Sequence, residues 1–382
     1  DHLGLVFQAR YRSERFTGGD WFGGHAEIGL HGRFDRIDQK QDLVEAPQMR
    51  VWDHRRDASI NALSLGIYAD LDLRFGERFT LRGGIRADVL SYDVHDRLAH
   101  RIPYGRPERY LEGARTTSLG AAIGPRIAAE IKAHERLRFI AAYGEGFRSP
   151  DALTLGEGER APFTKVRSAD VGARVTPHDA VQIMASGFIT QLSDDVYFDA
   201  TEGRLERLAP TRRSGLSLFV DLSPLEWLKA SIAGTYVRAI LLESRPASVD
   251  DPDPVFEKGE AIPYVPPLVL RAEIAASHRL FKIKGFDVEG RAALGYQALG
   301  ARPLPFGQKG DPVHLLDANL GVEVGIVRIG LEGMNLLGRK WAAEELVYAS
   351  NFNPFMTPSR LPTRHIHAGM PRTLLFTLGL SL

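Results

Sequence analysis

The closest-set histidines lie in "RHIHAG" (364–369), where His365 and His367 stand at i and i+2. In an extended chain that spacing puts both imidazoles on one side. Two imidazoles so placed suit a borderline metal ion or a haem iron. The alternative is that they bond loop backbone and hold the entry to the segment that follows. Arg148, in "GEGFRSPD", has a guanidinium fork that can meet an anionic ligand, or close a salt bridge at a strand end beside Pro150. Tyr197 and Phe198 in "DDVYFDA", and the "NFNPF" of 351–355, offer ring faces to a ligand or to a membrane interface. His365, His367, Arg148 and Tyr197 are therefore the candidate ligand contacts, with His365 and His367 as the candidate metal ligands.

A second set recurs at alternate positions. His25, Glu27, His31, Arg33 and Asp35 share one side of an extended stretch, Asp70, Asp72 and Arg74 a side of another, and Arg82, Arg86 and Asp88 a side of a third. Strips of mixed charge make a solvated wall. No catalytic constellation stands out; an enzyme of the phospholipase or protease type would need a Ser/His/acid set, for which Ser and His are present. The chain has no Gly-x-Ser-x-Gly elbow, no His-Glu-x-x-His and no Walker loop. The expectation is a protein that is not an enzyme and needs no cofactor.

Composition narrows the class. Lys plus Arg is 48 and Asp plus Glu is 48, so nothing in the charge balance points to nucleic acid. Cysteine is absent, which removes disulfides, thiolate chemistry and Cys-type zinc sites. Hydrophobic content is 44%, and no run reaches the roughly 18 apolar residues of a membrane helix. The start, "DHLGLVFQARY", lacks the charged and apolar regions of a signal peptide. It reads as a strand, so the chain is expected to begin inside a structure.

The elements that position these residues are strands. In 63–75 the odd positions Leu63, Leu65, Ile67, Ala69, Leu71, Leu73 and Phe75 are apolar, and the even ones are small, polar or amphipathic. Period-2 alternation recurs in 79–89, 119–131, 181–189, 228–236, 268–276, 286–296, 316–324, 327–331 and 374–382. It predicts about 15 strands and no amphipathic helix. Many of these exceed the about 9–11 residues that a tilted strand needs to cross a bilayer. The links alternate. Short turns fall at "GER", "AHE", "PHD", "SPLE" and "KIKG". Long links fall at 37–57, 95–114, 148–164, 240–266, 299–312 and 341–370, with a shorter one at 199–210. The link at 12–21 is longer than the pattern requires. Short turns on one side and long loops on the other are the layout of an outer-membrane barrel, with apolar residues facing lipid and polar ones a wet lumen. The last strand then runs inward, and barrel closure holds its end. On this reading His25, Glu27, His31, Arg33, Asp70, Asp72, Arg82, Arg86 and Asp88 line the lumen.

Four stretches resemble one family. "YGEGFRSPDALTLGEGE" (143–159) looks like the strand-and-loop signature of TonB-dependent outer-membrane receptors, and "IPYVPPLVLRAEI" (262–274) like the proline-marked entry to a later strand. "GMNLLGRKW" (333–341) and "GMPRTLLFTLGLSL" (369–382) look like their penultimate strand end and closing strand. The resemblance implies an all-β, antiparallel transmembrane barrel of about 22 strands around an N-terminal plug. It implies that residues 1–382 are its C-terminal part, without the plug, its TonB box and about seven strands. Strands 5–11 and 374–382 are then expected to pair with polypeptide outside this chain. The implied function is to bind and import a scarce nutrient, such as a ferric chelate, haem or cobalamin, across the outer membrane of a Gram-negative bacterium. The implied partners are outer-membrane lipid, TonB acting through the plug, the missing strands and a large solute. Two other readings are a plug-less scaffold subunit of an envelope complex and a soluble all-β binding protein. The coding sequence upstream of Asp1 separates the first two.

Overall fold

The computed structural model describes residues 1–45, 47–98, 115–148, 164–199, 204–244, 256–348 and 362–380. The expectations for Pro150, for 351–355 and for the last two residues lie outside them. The first eight strands are β1 (His2–Arg12), β2 (Phe16–Thr17), β3 (Phe22–Glu45), β4 (Arg50–Phe75), β5 (Phe79–Asp96), β6 (Arg115–His134), β7 (Leu137–Arg148) and β8 (Thr164–His178). Next come β9 (Val181–Leu192), β10 (Asp195–Asp199), β11 (Arg204–Leu208), β12 (Thr211–Leu225), β13 (Leu228–Leu241) and β14 (Leu268–Ile283). The rest are β15 (Phe286–Leu299), β16 (Val313–Val324), β17 (Val327–Met334), β18 (Ala342–Tyr348), β19 (Thr363–Ala368) and β20 (Thr373–Leu380). No helix occurs among the described residues.

One 16-stranded antiparallel sheet contains all but two hairpins, running β1-β3-β4-β5-β6-β7-β8-β9-β12-β13-β14-β15-β16-β17-β20 with β2 on the side of β3. Without the two-residue β2 the path has the strand count that the alternation predicts. The hairpins β10–β11 and β18–β19 stand apart, within the long links. Tight turns close the other end. The β14–β15 turn has Lys284 and Gly285 both at positive φ (48° and 90°), the geometry whose twist matches that of the strands it joins. The sequence expectation fails in the first links. Residues 37–57 are not a loop, because β3 and β4 stay paired to Glu45 and Arg50 and extend as a long ribbon. The 12–21 link contains β2, which pairs with Gly23 and Gly24.

The register shows where lipid begins and ends. Leu5, Phe34, Leu63, Ser91 and Leu119 form one cross-strand row on the apolar face. The next row toward the long links is Leu3, Arg36, Asn61, Asp93 and Thr117, so the face turns polar there. At the tight-turn end of this face, Phe22 packs on Phe75 and Phe75 on Phe79, with ring centroids 5.3 and 5.6 Å apart, beside Trp21. Aromatic rings belong at such a membrane interface. From Phe75 to Leu63 is about 40 Å along the strand and ~28 Å at a tilt of about 45°, close to the ~25 Å apolar band of a membrane barrel. The opposite face reverses its polarity at the same height. Polar below, it carries a buried apolar cluster of Ile60, Leu90, Tyr92 and Val94, with Ile37 and Ala62, above.

Candidate functional site

Strands β3, β4 and β5 place the alternate charged residues on one face, opposite Leu63, Leu65 and Ile67. His25 sits across from Asp72, Glu27 from Asp70, and Asp72 from Arg82. Most of these charges are paired. Arg33 Nε donates to Asp35 at 2.6 Å, and His2 meets the same carboxylate at 2.7 Å. Arg12 Nε donates to Glu27 at 2.7 Å, and the Tyr68 hydroxyl donates to its other oxygen at 2.9 Å. Arg82 holds Asp72 at 2.9 Å, Arg86 holds Asp88 at 2.7 Å and reaches His31, and Arg126 forks onto Asp70. All nine residues expected to line the lumen lie on this polar face. A pocket on it is lined by Arg12, His25, Glu27, Asp72 and Arg82 and reaches Ser168 and Asp170 on β8. Such a wall offers cations and carboxylates alternately and suits a large polar solute or a polar protein surface.

The four candidate ligand contacts are not brought together. Tyr197 is 5% exposed and packs edge-on against Phe256 at 5.3 Å, inside a small core with Leu208, Ala239, Leu241 and Ile262. It holds the β10–β11 hairpin to the end of β13 and offers no free ring, while its neighbour Phe198 is exposed. Arg148 is engaged by Asp195 at 3.5 Å, which is the salt-bridge reading of that residue. The His365 ring stacks on Tyr348 at 3.9 Å, and its Nε2 lies 3.1 Å from the Tyr348 carbonyl oxygen. His367 is exposed across from Glu344. Among the described residues no group of three or more His, Asp or Glu is set for a metal ion.

Two buried carboxylates escaped the sequence reading. Asp195, its side chain 2% exposed, accepts from Arg213 at 2.6 Å, from the Thr211 hydroxyl at 2.7 Å and from the Val196 N–H at 2.9 Å. Glu345, on β18, has a fully buried side chain between Arg302 at 3.0 Å and Arg364 at 3.6 Å. Both fasten an outer hairpin to the rim of the sheet. Above the apolar band a further pair faces outward: Arg115, bonding Asp93 at 2.6 and 2.8 Å, holds that carboxyl below the usual range. On β7, Glu145 meets Lys165 and accepts from the Tyr143 hydroxyl at 2.7 Å. Asn335 closes β17. At φ 48° it takes the left-handed conformation, and its amide bonds the Arg339 and Met370 carbonyls at 2.8 and 3.1 Å. That is the physical content of "GMNLLG".

A family model described as TonB dependent receptor-like, beta-barrel, matches residues 3–336. Among solved structures, the chain is similar to the ferric-catecholate import receptor Fiu of E. coli K12, with 17% identity and a TM-score of 0.69. It is similar to the ferric citrate transporter FecA (12%, 0.71) and to the ferric yersiniabactin uptake receptor FyuA of Yersinia pestis (16%, 0.69). Each likeness covers 99% of this chain and 54% of the other, so the chain spans about half the length of these proteins. No curated protein sequence matches it. At these identities the structures speak for the fold, and the family model speaks for descent. The strands, the two-faced alternation and a match over most of its length agree: the chain belongs to the TonB-dependent receptor-like β-barrel family, which resides in the Gram-negative outer membrane.

Proposed function

We propose that this barrel is the passage of an outer-membrane receptor that captures a scarce, large solute at its outer end. The solute moves along the polar face with energy delivered by TonB through a plug. The observation that carries the reading is the family match over residues 3–336. The continuous charged face of β3–β5, which suits a wet lumen, supports it. A ferric chelate is the favoured class, because the similar proteins named above are receptors or transporters for ferric catecholates, ferric citrate and ferric yersiniabactin. Of the aromatic and histidine candidates described, Phe198 and His367 are exposed at the outer end and can meet it. His25, Glu27, Arg82 and Arg126 then face the plug or the passing solute. β1 and β20 each have one neighbour in the sheet, and further strands complete the barrel there. Uptake of a labelled ferric chelate by cells carrying the whole receptor tests the reading, with TonB present and absent. Uptake that needs both the receptor and TonB is expected. Uptake unchanged by loss of the receptor, in cells whose envelope is weakened by that loss, would replace the transport reading with a scaffold role.

A further inference from the structure

On the apolar face the register of β8, β9, β12, β13 and β14 builds a groove. One cross-strand row is Val171, Gly187, Leu216, Tyr236 and Leu268, and the row beneath it is Ala173, Ala185, Leu218, Gly234 and Leu270. Gly187, Ala185 and Gly234 form the floor, and Val171, Leu216, Leu218, Tyr236 and Leu268 rise around it. These large side chains are exposed, so the groove opens onto the lipid. On β13 the groove lies about midway between the tight turn at Trp227 and the outer end of the strand.

Directly above the groove the same face becomes basic. The next rows outward bring Arg238 beside Ser214, and Arg167, Gln191 and Arg212 into line. Lys165 stands above Arg167. Glu145 is the carboxylate among them, and it is shared by Lys165 and Arg167. Arg212 and Arg238 have no ion pair among the described residues. On the neighbouring arc of β3–β6, Arg115 is matched by Asp93 and Arg97 by Asp38 and Asp57, while Arg36 has no ion pair among the described residues.

We infer that this groove and the arginines above it bind one phosphate-bearing, multiply acylated lipid of the outer leaflet. An acyl chain lies over Gly187 and Gly234, and a headgroup phosphate sits between Arg212 and Arg238. Guanidinium forks match phosphate oxygens, and these two stand where headgroups begin. A second copy of the chain fits less well, because it would set unpaired arginines against each other.

The whole receptor, stripped of lipid in detergent, is titrated with lipid A bearing both phosphates and with its dephosphorylated form, and bound lipid is counted by native mass spectrometry. The wild type should prefer the phosphorylated form by roughly 30-fold, the weight of two cations near a lipid surface. Arg212→Gln with Arg238→Gln should bring the two forms near parity. Arg36→Gln, which removes an outward-facing arginine of β3 remote from the groove, should leave the preference intact. Gly187→Leu should weaken both forms equally. Its added Cβ has room, 3.5 Å from a Leu216 methyl and 3.8 Å from the Gly215 oxygen, so the side chain fills the groove and spares the strand. Melting curves confirm that each variant is folded. Equal wild-type affinity for the two lipids, a preference that survives the double substitution, or a receptor dimer in place of the lipid adduct overturns the inference. The outcome does not depend on what the receptor transports.

Discussion

Asp195 and Arg271 mark the two ends of what an ion pair does in this molecule. Arg271 meets Glu273 at 3.3 Å with both side chains largely in water, so the pair contributes at most about 1 kcal/mol. Asp195 is buried, and each of its oxygens has a donor. Removing it leaves the partly buried Arg213 guanidinium without its carboxylate. Asp195→Ala should therefore cost about 3–5 kcal/mol, and Arg271→Ala under about 1 kcal/mol. Denaturant titration of the whole receptor compares them, with amide exchange across β10–β11 reporting where stability is lost. Equal effects would mean that Asp195 does not hold the hairpin. Glu345 makes the same kind of clamp, and it dictates its neighbour. A Cβ at Gly310 would run into the Glu345 carboxylate, so a side chain at that position displaces the clamp.

At the scale of the strand, the two faces of β4 differ in what they tolerate. Leu65 and Ile67 point to lipid, as does Ile232 on β13. An arginine at any of them should cost about 2–4 kcal/mol near the bilayer midplane. Ser64→Arg, on the polar face, should cost much less. Gly66 is on that face too, yet it is no control, because a Cβ there would strike His31 and Asp88. Refolding yields and unfolding free energies of Leu65→Arg and Ser64→Arg in lipid vesicles make the comparison. Equal losses would show that the face assignment is wrong. The same alternation explains the long β3–β4 ribbon. Above the row of Phe34 and Leu63 its outward face is polar and its inward face apolar, the reverse of the portion in lipid. Chain in water buries its apolar residues, and chain in lipid presents them.

For the whole molecule the open question is physical. Each inner strand of the sheet is held by two neighbours, while β1 and β20 each have one. An unpaired row of backbone N–H and C=O groups in hydrocarbon costs several kcal/mol per group, so neither edge stays bare in a membrane. In the native receptor the β1 amides that point away from β3 should exchange with solvent as slowly as those of β14, which is paired on both sides. Fast exchange confined to β1 would show that nothing completes the barrel there.

Sequence alone determined the class of structure. Period-2 alternation is a local property, and a strand in lipid must show it to satisfy one apolar and one wet face. The strand count, the tight turns and the polar strips from His25 to Asp88 were therefore legible, and the family motifs agreed with them. The candidate contacts were less so. Tyr197, Arg148 and His365 are the right types for ligand chemistry, but their partners Phe256, Asp195 and Tyr348 lie at separations that no local pattern encodes. Only the fold shows that these partners occupy them. The same holds for Glu345, whose arginines come from two different loops, and for the groove under Arg212 and Arg238, whose parts lie on five strands. Which face a residue takes follows from its own strand. What it meets there depends on the register of the neighbouring strands, and that is decided only when the sheet assembles.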